Sequence, residues 1–217
     1  MRFKFALTGD MPDTDGDGDG YLEDYYQLSI MDLEALAWHA SANAPEADGN
    51  AYWCADEAIG PDGGYLDEWM QYLDTPPMTL GDNGMLSAKL KWVIEDYAGA
   101  VVAGTCTDGW DAANVRISAD GGTTWDLLSD PNLPYDFDCG YGWIYNDTEY
   151  DTGGSLNHVA PGWGAASAGR EFVDFSADLS AWAGQEVIIR FAFGSDPAYN
   201  TFDQPDMTGF EVDNIVV

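Results

Sequence analysis

Residues 13–24 read Asp-Thr-Asp-Gly-Asp-Gly-Asp-Gly-Tyr-Leu-Glu-Asp, carboxylates spaced two apart with glycine between them. Calcium loops place side-chain oxygens at positions 1, 3 and 5, a glycine at 6 for the turn, and a backbone carbonyl at 7. With Asp15 at position 1, Asp17 falls at 3, Asp19 at 5, Gly20 at 6 and the Tyr21 carbonyl at 7. Leu22 then takes the apolar position 8 and Glu23 position 9, but Tyr26 stands at 12, where a bidentate Glu is expected. Sliding the register back by two puts Asp24 at 12 and Gly20 at the apolar position. The first register is preferred, and the competing interpretation is a solvated acidic linker. Calcium is the cofactor this spacing calls for.

Other chemistry is harder to place. A Ser or Cys nucleophile needs a histidine base, and the chain has only His39 and His158, neither in a metal-binding arrangement. Two carboxylates suffice for a glycosidase, yet 39 acidic residues make any chosen pair uninformative. Gly16, Gly18 and Gly20 alternate with Asp, which repels phosphate, so no nucleotide loop is present. No enzyme is expected. The three cysteines, Cys54, Cys106 and Cys139, allow at most one intrachain disulfide. Cys106 and Cys139 both sit in Gly/Asp-rich loops and are the preferred pair. Among the aromatics, Trp110, Trp143, Tyr145 and Trp163 lie in loops where rings could stack on sugars, although aromatic residues more often fill a core.

The elements that must position these groups are read from periodicity. Residues 25–38 carry apolar side chains at 26, 30, 33 and 37, which predicts a short helix, with a strand as the alternative. From residue 86 the period is two. Leu86, Ala88, Leu90, Trp92 and Ile94 alternate with more polar neighbours, and Val187, Ile189, Phe191 and Phe193 repeat the pattern. Shorter strands are predicted at Val115–Ile117, Trp125–Leu127, Val173–Phe175 and over 210–217, with Trp125 facing inward. Asp120-Gly121-Gly122 is a turn signal. Short strands separated by long Gly, Asp and Pro-rich loops predict an all-β jelly-roll β-sandwich with one short N-terminal helix. The domain plan is an N-terminal strand or arm over 1–12, the acidic calcium-binding segment over 13–24, and the sandwich over 25–217.

Four motifs in order resemble a known family. They are Ala51-Tyr-Trp-Cys-Ala-Asp-Glu57 followed by Trp69 to Thr79; Trp110-Asp-Ala-Ala-Asn-Val-Arg-Ile-Ser-Ala-Asp-Gly-Gly-Thr-Thr-Trp125; Phe172 to Phe193; and Gly209-Phe-Glu-Val-Asp-Asn-Ile-Val-Val217. Over residues 38–217 the chain resembles the MAM-like jelly-roll domains of cleaved-adhesin, or choice-of-anchor J, type, which also occur beside immune-inhibitor-A-type metallopeptidases. The resemblance implies an extracellular sandwich, commonly with structural calcium, that binds or assembles rather than catalyses. Asp213 sits mid-strand between apolar neighbours, costly for a carboxylate unless compensated, and is the first candidate for a calcium ligand on the sandwich. By resemblance Asp56, Glu57 and Asp111 join it.

The charge sets the outer limits. With 39 acidic and 7 basic residues, the net charge is -32, which argues against nucleic acid and anionic membrane surfaces as partners. No apolar run approaches the roughly 20 residues that span a bilayer, and the N-terminus lacks the apolar core of a signal peptide. A mature or excised piece of a secreted or cell-surface protein is expected. Arg2-Phe-Lys-Phe-Ala-Leu7 alternates like a strand. It is expected either to fold back on its own sandwich or to add to the sheet edge of a neighbouring subunit, giving self-association through residues 2–7 and a filamentous assembly. Glycans and surface proteins are the other expected partners, with an accessory module of a secreted hydrolase or peptidase as the alternative role.

Overall fold

The computed structural model describes residues 38–42, 49–101, 106–142 and 161–217. The chain divides at Ala35/Leu36, and every described residue belongs to the second unit. The acidic run 13–24, the arm 2–7, most of the expected helix 25–38, Trp143, Tyr145 and His158 lie outside the described residues.

The long alternating stretches become the central strands. β5 (Met85–Val93) pairs on one side with β10 (Val173–Asp178) and on the other with β12 (Gly209–Val216), while β2 (Ala51–Trp53) and β1 (His39–Ser41) complete a sheet of order β1-β2-β12-β5-β10. The second sheet runs β3 (Met70–Asp74), β11 (Glu186–Gly194), β7 (Ala112–Ser118) and β8 (Asp126–Leu127), with β4 (Met78–Thr79) continuing the β3 position along β11. All these pairings are antiparallel. With β1 and the β6–β9 ladder set aside and β3 and β4 taken as one interrupted strand, successive strands alternate between the sheets except at the β7–β8 hairpin, which stays in one sheet, giving two nested Greek keys. That is the jelly-roll order. A separate parallel ladder joins β6 (Asp108–Gly109) to β9 (Cys139–Gly140).

The core lies where the two inner faces meet. Leu86, Leu90, Trp92, Phe175, Phe210 and Val212 from one sheet pack with Val115, Ile117, Ile189, Phe191 and Phe193 from the other. Trp163 lies among them, its ring 5.1 Å from Trp92 in a stacked arrangement, 4.5 Å from Tyr135 and 5.7 Å from Phe175. Its indole N–H donates to the Pro134 carbonyl, so the one polar atom it brings inside is satisfied. β7 is buried along its whole length rather than alternately. Its outer face is covered in part by a second cluster, in which Phe137 packs on Ala112 and Ala192.

Trp125 departs from its expected inward direction. It precedes β8, and its ring lies on the Arg190 guanidinium at 3.9 Å, with the Tyr72 ring at the same distance and the Asp74 carboxylate bidentate at 2.8 and 2.9 Å. The turn before it pulls the indole off the inward phase. Gly121 and Gly122 both take positive φ (73° and 91°), a region that favours glycine. The Asp120 carboxylate accepts from the Thr124 and Thr123 amides and from the Thr124 and Ser118 hydroxyls. These bonds, the Thr124 amide foremost, hold its pKa at about 2.

Candidate metal centre

Three strand ends converge at one end of the sandwich. Glu95 follows β5, Asp111 immediately precedes β7, and Asp196 follows β11, so the three carboxylates come from both sheets. One oxygen of each lies within 4.8 Å of the others. Asp111 is fully buried and Asp196 is 6% exposed.

Asp111 is fixed from two sides. The Tyr65 hydroxyl donates to Oδ2, and the Asp196 amide donates to Oδ1 at 2.8 Å. Tyr65 in turn accepts from the Glu95 amide at 3.2 Å, tying the β5 end into the same network. Asp196 Oδ1 accepts from Ala198. Glu95 has no such support: its Oε2 is buried and finds no hydrogen-bond partner among the described residues.

The electrostatics follow from this crowding. Burial, then the charges of Asp111, Asp196, Asp67 and Asp96, pushes Glu95 up to about 9. Burial raises Asp111 to about 8 against the opposing hydrogen bonds from Tyr65 and Asp196. Asp196 is also raised, chiefly by burial. The Tyr65 hydroxyl is held well above its ordinary value by burial and by the neighbouring Asp111 charge. Like charges gathered in a low-dielectric site resist ionisation unless a cation joins them. A donor set made only of carboxylate oxygens suits a hard divalent ion such as calcium. The orphaned Glu95 oxygen fits that group.

The sequence candidates distribute unevenly around this centre. Asp111 is part of it. Asp56 caps a local turn, accepting from the Ala58 amide at 2.7 Å. Glu57 accepts from His39 at 3.0 Å and Ser41 at 3.1 Å; burial works against its ionisation, but these bonds outweigh it and hold its pKa low. Asp213 is buried on β12, opposite Lys89 in the ladder, and accepts from the Asn214 amide at 2.6 Å. Asp56, Glu57 and Asp213 belong to neither of the two close groups of metal-capable side chains among the described residues. The other such group, Cys106, Asp108 and Cys139, contains a disulfide between its two cysteines, closing the β6–β9 ladder. Cys54 is a buried free thiol whose pKa burial pushes up.

The loop tryptophans also part company. Trp110 is half-buried, edge-on to Tyr141 at 6.0 Å. Trp163 is 1% exposed and in the core, so its ring is unavailable to a sugar. The expectation of ligand stacking there is corrected: the preceding Gly162 pairs with Phe137 and Trp163 itself pairs with Ala113, and this turns the indole inward. Glu95, Asp196 and Tyr65 were not singled out in the sequence. Glu95 and Asp196 each end one of the two longest alternating strands, a position that marks a sandwich rim.

No protein-family model matches the chain, and no curated protein matches it. Among solved structures it is similar to the K3 cleaved adhesin domain of Lys-gingipain from Porphyromonas gingivalis, at 14% identity and TM-score 0.40 over 85% of each chain. It is also similar to the K1 cleaved adhesin domain of the same protein, at 15% identity and TM-score 0.42, again over 85% of each chain.

Proposed function

We propose that this chain is a non-catalytic, calcium-stabilised jelly-roll module of an extracellular or cell-surface protein, acting in adhesion or as the subunit of a surface assembly. The observation that carries the calcium part is the cluster of Glu95, Asp111 and Asp196, drawn from both sheets, with one buried oxygen unpartnered among the described residues. A cation there would tie β5 to β7 and β11, a staple across the rim of the sandwich. The Cys106–Cys139 disulfide supports an oxidising compartment. Against catalysis stands the burial of Asp111 and Asp196, which withholds two of the three clustered carboxylates from solvent. His39, the one histidine among the described residues, is engaged with Glu57. Of the proposed sugar-stacking residues, only Trp110 remains partly accessible among those described.

The test is thermal unfolding with and without chelator at low salt. A ligand that binds only the folded state stabilises by about 2.7 kcal/mol at a hundred times its Kd, which for a domain of this size raises Tm by roughly 5–10 °C. Asp111→Asn should abolish most of that increment. A Tm indifferent to chelator would overturn the calcium assignment.

A further inference from the structure

Residues 195–208, which connect β11 to β12, contain no strand, and side chains supply their frame. Ser195 is the first anchor. Its hydroxyl accepts from the Trp69 amide at 2.8 Å and donates to the Leu66 carbonyl at 2.7 Å. Asp196 is the second, with its amide on Asp111, its carbonyl on the Glu68 amide at 2.8 Å and its carboxylate in the rim cluster. Thr201 is the third, and it is wholly buried. Its hydroxyl accepts from the Tyr65 amide at 2.8 Å and donates to the Met207 carbonyl at 2.7 Å, and its amide donates to the Tyr65 carbonyl at 3.2 Å. Gly64 passes so close that a Cβ there would stand 2.1 Å from the Thr201 hydroxyl oxygen. Tyr65 in turn gives its hydroxyl to Asp111. The loop is therefore tied to the same groups that hold the carboxylates.

Between these anchors the loop displays two rings. Tyr199 is 57% exposed and Phe202 67%, and Tyr199 holds φ at 66°, a region costly for a bulky side chain. Asn200 sets their frame. Its side-chain amide donates to Asp67 Oδ1 at 2.9 Å, and its side-chain oxygen accepts from the Phe202 amide at 2.8 Å. Asp67 is itself one of the charges that bear on Glu95 and Asp196. Two carboxylates, Asp196 and Asp67, thus feel the charge of the centre and hold the loop at once.

We propose that calcium at the rim centre fixes the loop that displays Tyr199 and Phe202, so that the module presents this aromatic pair in one frame only when loaded. In chelated protein the ionised carboxylates repel one another, and Asp196 and Asp67 carry that repulsion into the loop. A divalent cation reverses its sign, drawing Asp196 toward Asp111 and Glu95. The coupling is reciprocal: whatever grips the rings in that frame tightens calcium at the centre. This deepens the calcium reading above and rests on it.

The experiment follows amide hydrogen exchange by NMR in the full chain at pH 7, with chelator and with calcium, below the melting transition of both. Calcium should slow exchange at the Glu68, Asp196, Thr201 and Phe202 amides by about tenfold or more, as expected when local opening is suppressed. The Thr123 and Thr124 amides, bonded to Asp120 beyond the far end of β7, should hardly change. Chymotrypsin, which cuts after aromatic residues, should cleave after Tyr199 or Phe202 in chelator and spare both in calcium. Asn200→Ala should erase the protection of the Phe202 amide and of the two cleavage sites while keeping the calcium increment in Tm, because it removes no carboxylate. A Tm raised by calcium with loop exchange and cleavage unchanged would overturn the coupling and leave the centre standing. Protection that survives Asn200→Ala would overturn the route through Asp67. A Tm indifferent to calcium would overturn both the coupling and the centre.

Discussion

Glu95 combines a buried, unpartnered oxygen with crowding by like charges. Its buried Oε2 has no partner among the described residues, and four acidic neighbours from other elements or its own loop raise its pKa further. In chelated protein the folded state holds protons on Glu95 and Asp111 that the unfolded chain releases near pH 4. Between about pH 4 and pH 8–9 the native state therefore binds more protons, and stability falls as pH rises. Calcium should reverse the trend, because binding requires the ionised carboxylates and strengthens with pH. Melting curves at pH 5 and pH 8 should show a larger calcium increment at pH 8, and Glu95→Gln should raise the chelated Tm at pH 8 while removing most of the increment. An equal increment at both pH values would count against this centre. Asp111 was reachable from the sequence through its motif. Glu95 and Asp196 were not, because alternation shows that a strand ends but not which other ends it meets.

At the scale of elements, burial on one face made β5 and β11 legible as strands, and their pairing partners follow from the sandwich. β7 hides its alternation because Phe137 and its neighbours cover part of the outer face that a sandwich usually leaves to water. Trp125 was misdirected for a related reason: a turn fixed by Asp120 and two glycines carries it past the inward phase, onto Arg190. The loop holding Trp163 behaves like a strand of the core, bridging to Ala113. Trp163→Ala should thus destabilise by about 3–5 kcal/mol, the usual cost of emptying a large aromatic site. Trp110→Ala, at a half-buried position, should cost much less. Denaturant titration of both variants distinguishes a packing tryptophan from a binding one, and near-equal costs would contradict the assignment of Trp163 to the core.

For the molecule as a whole, the charge of -32 was legible at once as a bar to nucleic acid, but its internal distribution was not. Composition cannot say that some carboxylates crowd at a rim, that others partner the few cations, or that Asp120 serves a turn. Copies this negative repel one another unless salt or calcium screens them. Any oligomer should therefore dissociate when calcium is chelated at low ionic strength and re-form in about 1 M salt, where the screening length is near 3 Å. Sedimentation at those conditions checks it; oligomers indifferent to both would contradict a charge-limited assembly.

The placement of the basic side chains has a further consequence, in digestion. Trypsin cuts only after Lys or Arg and needs a locally exposed, deformable backbone. Lys89 and Lys91 lie within β5, Arg116 within β7 and Arg190 within β11. Arg170 alone among the described residues stands in a connecting turn, its side chain about half exposed and its φ at 59°. A limited digest should therefore cut the sandwich first after Arg170, leaving the flanking sheets intact. Among the described residues, four of the five bonds trypsin could cut lie within strands, so the digest should stall after the first cut.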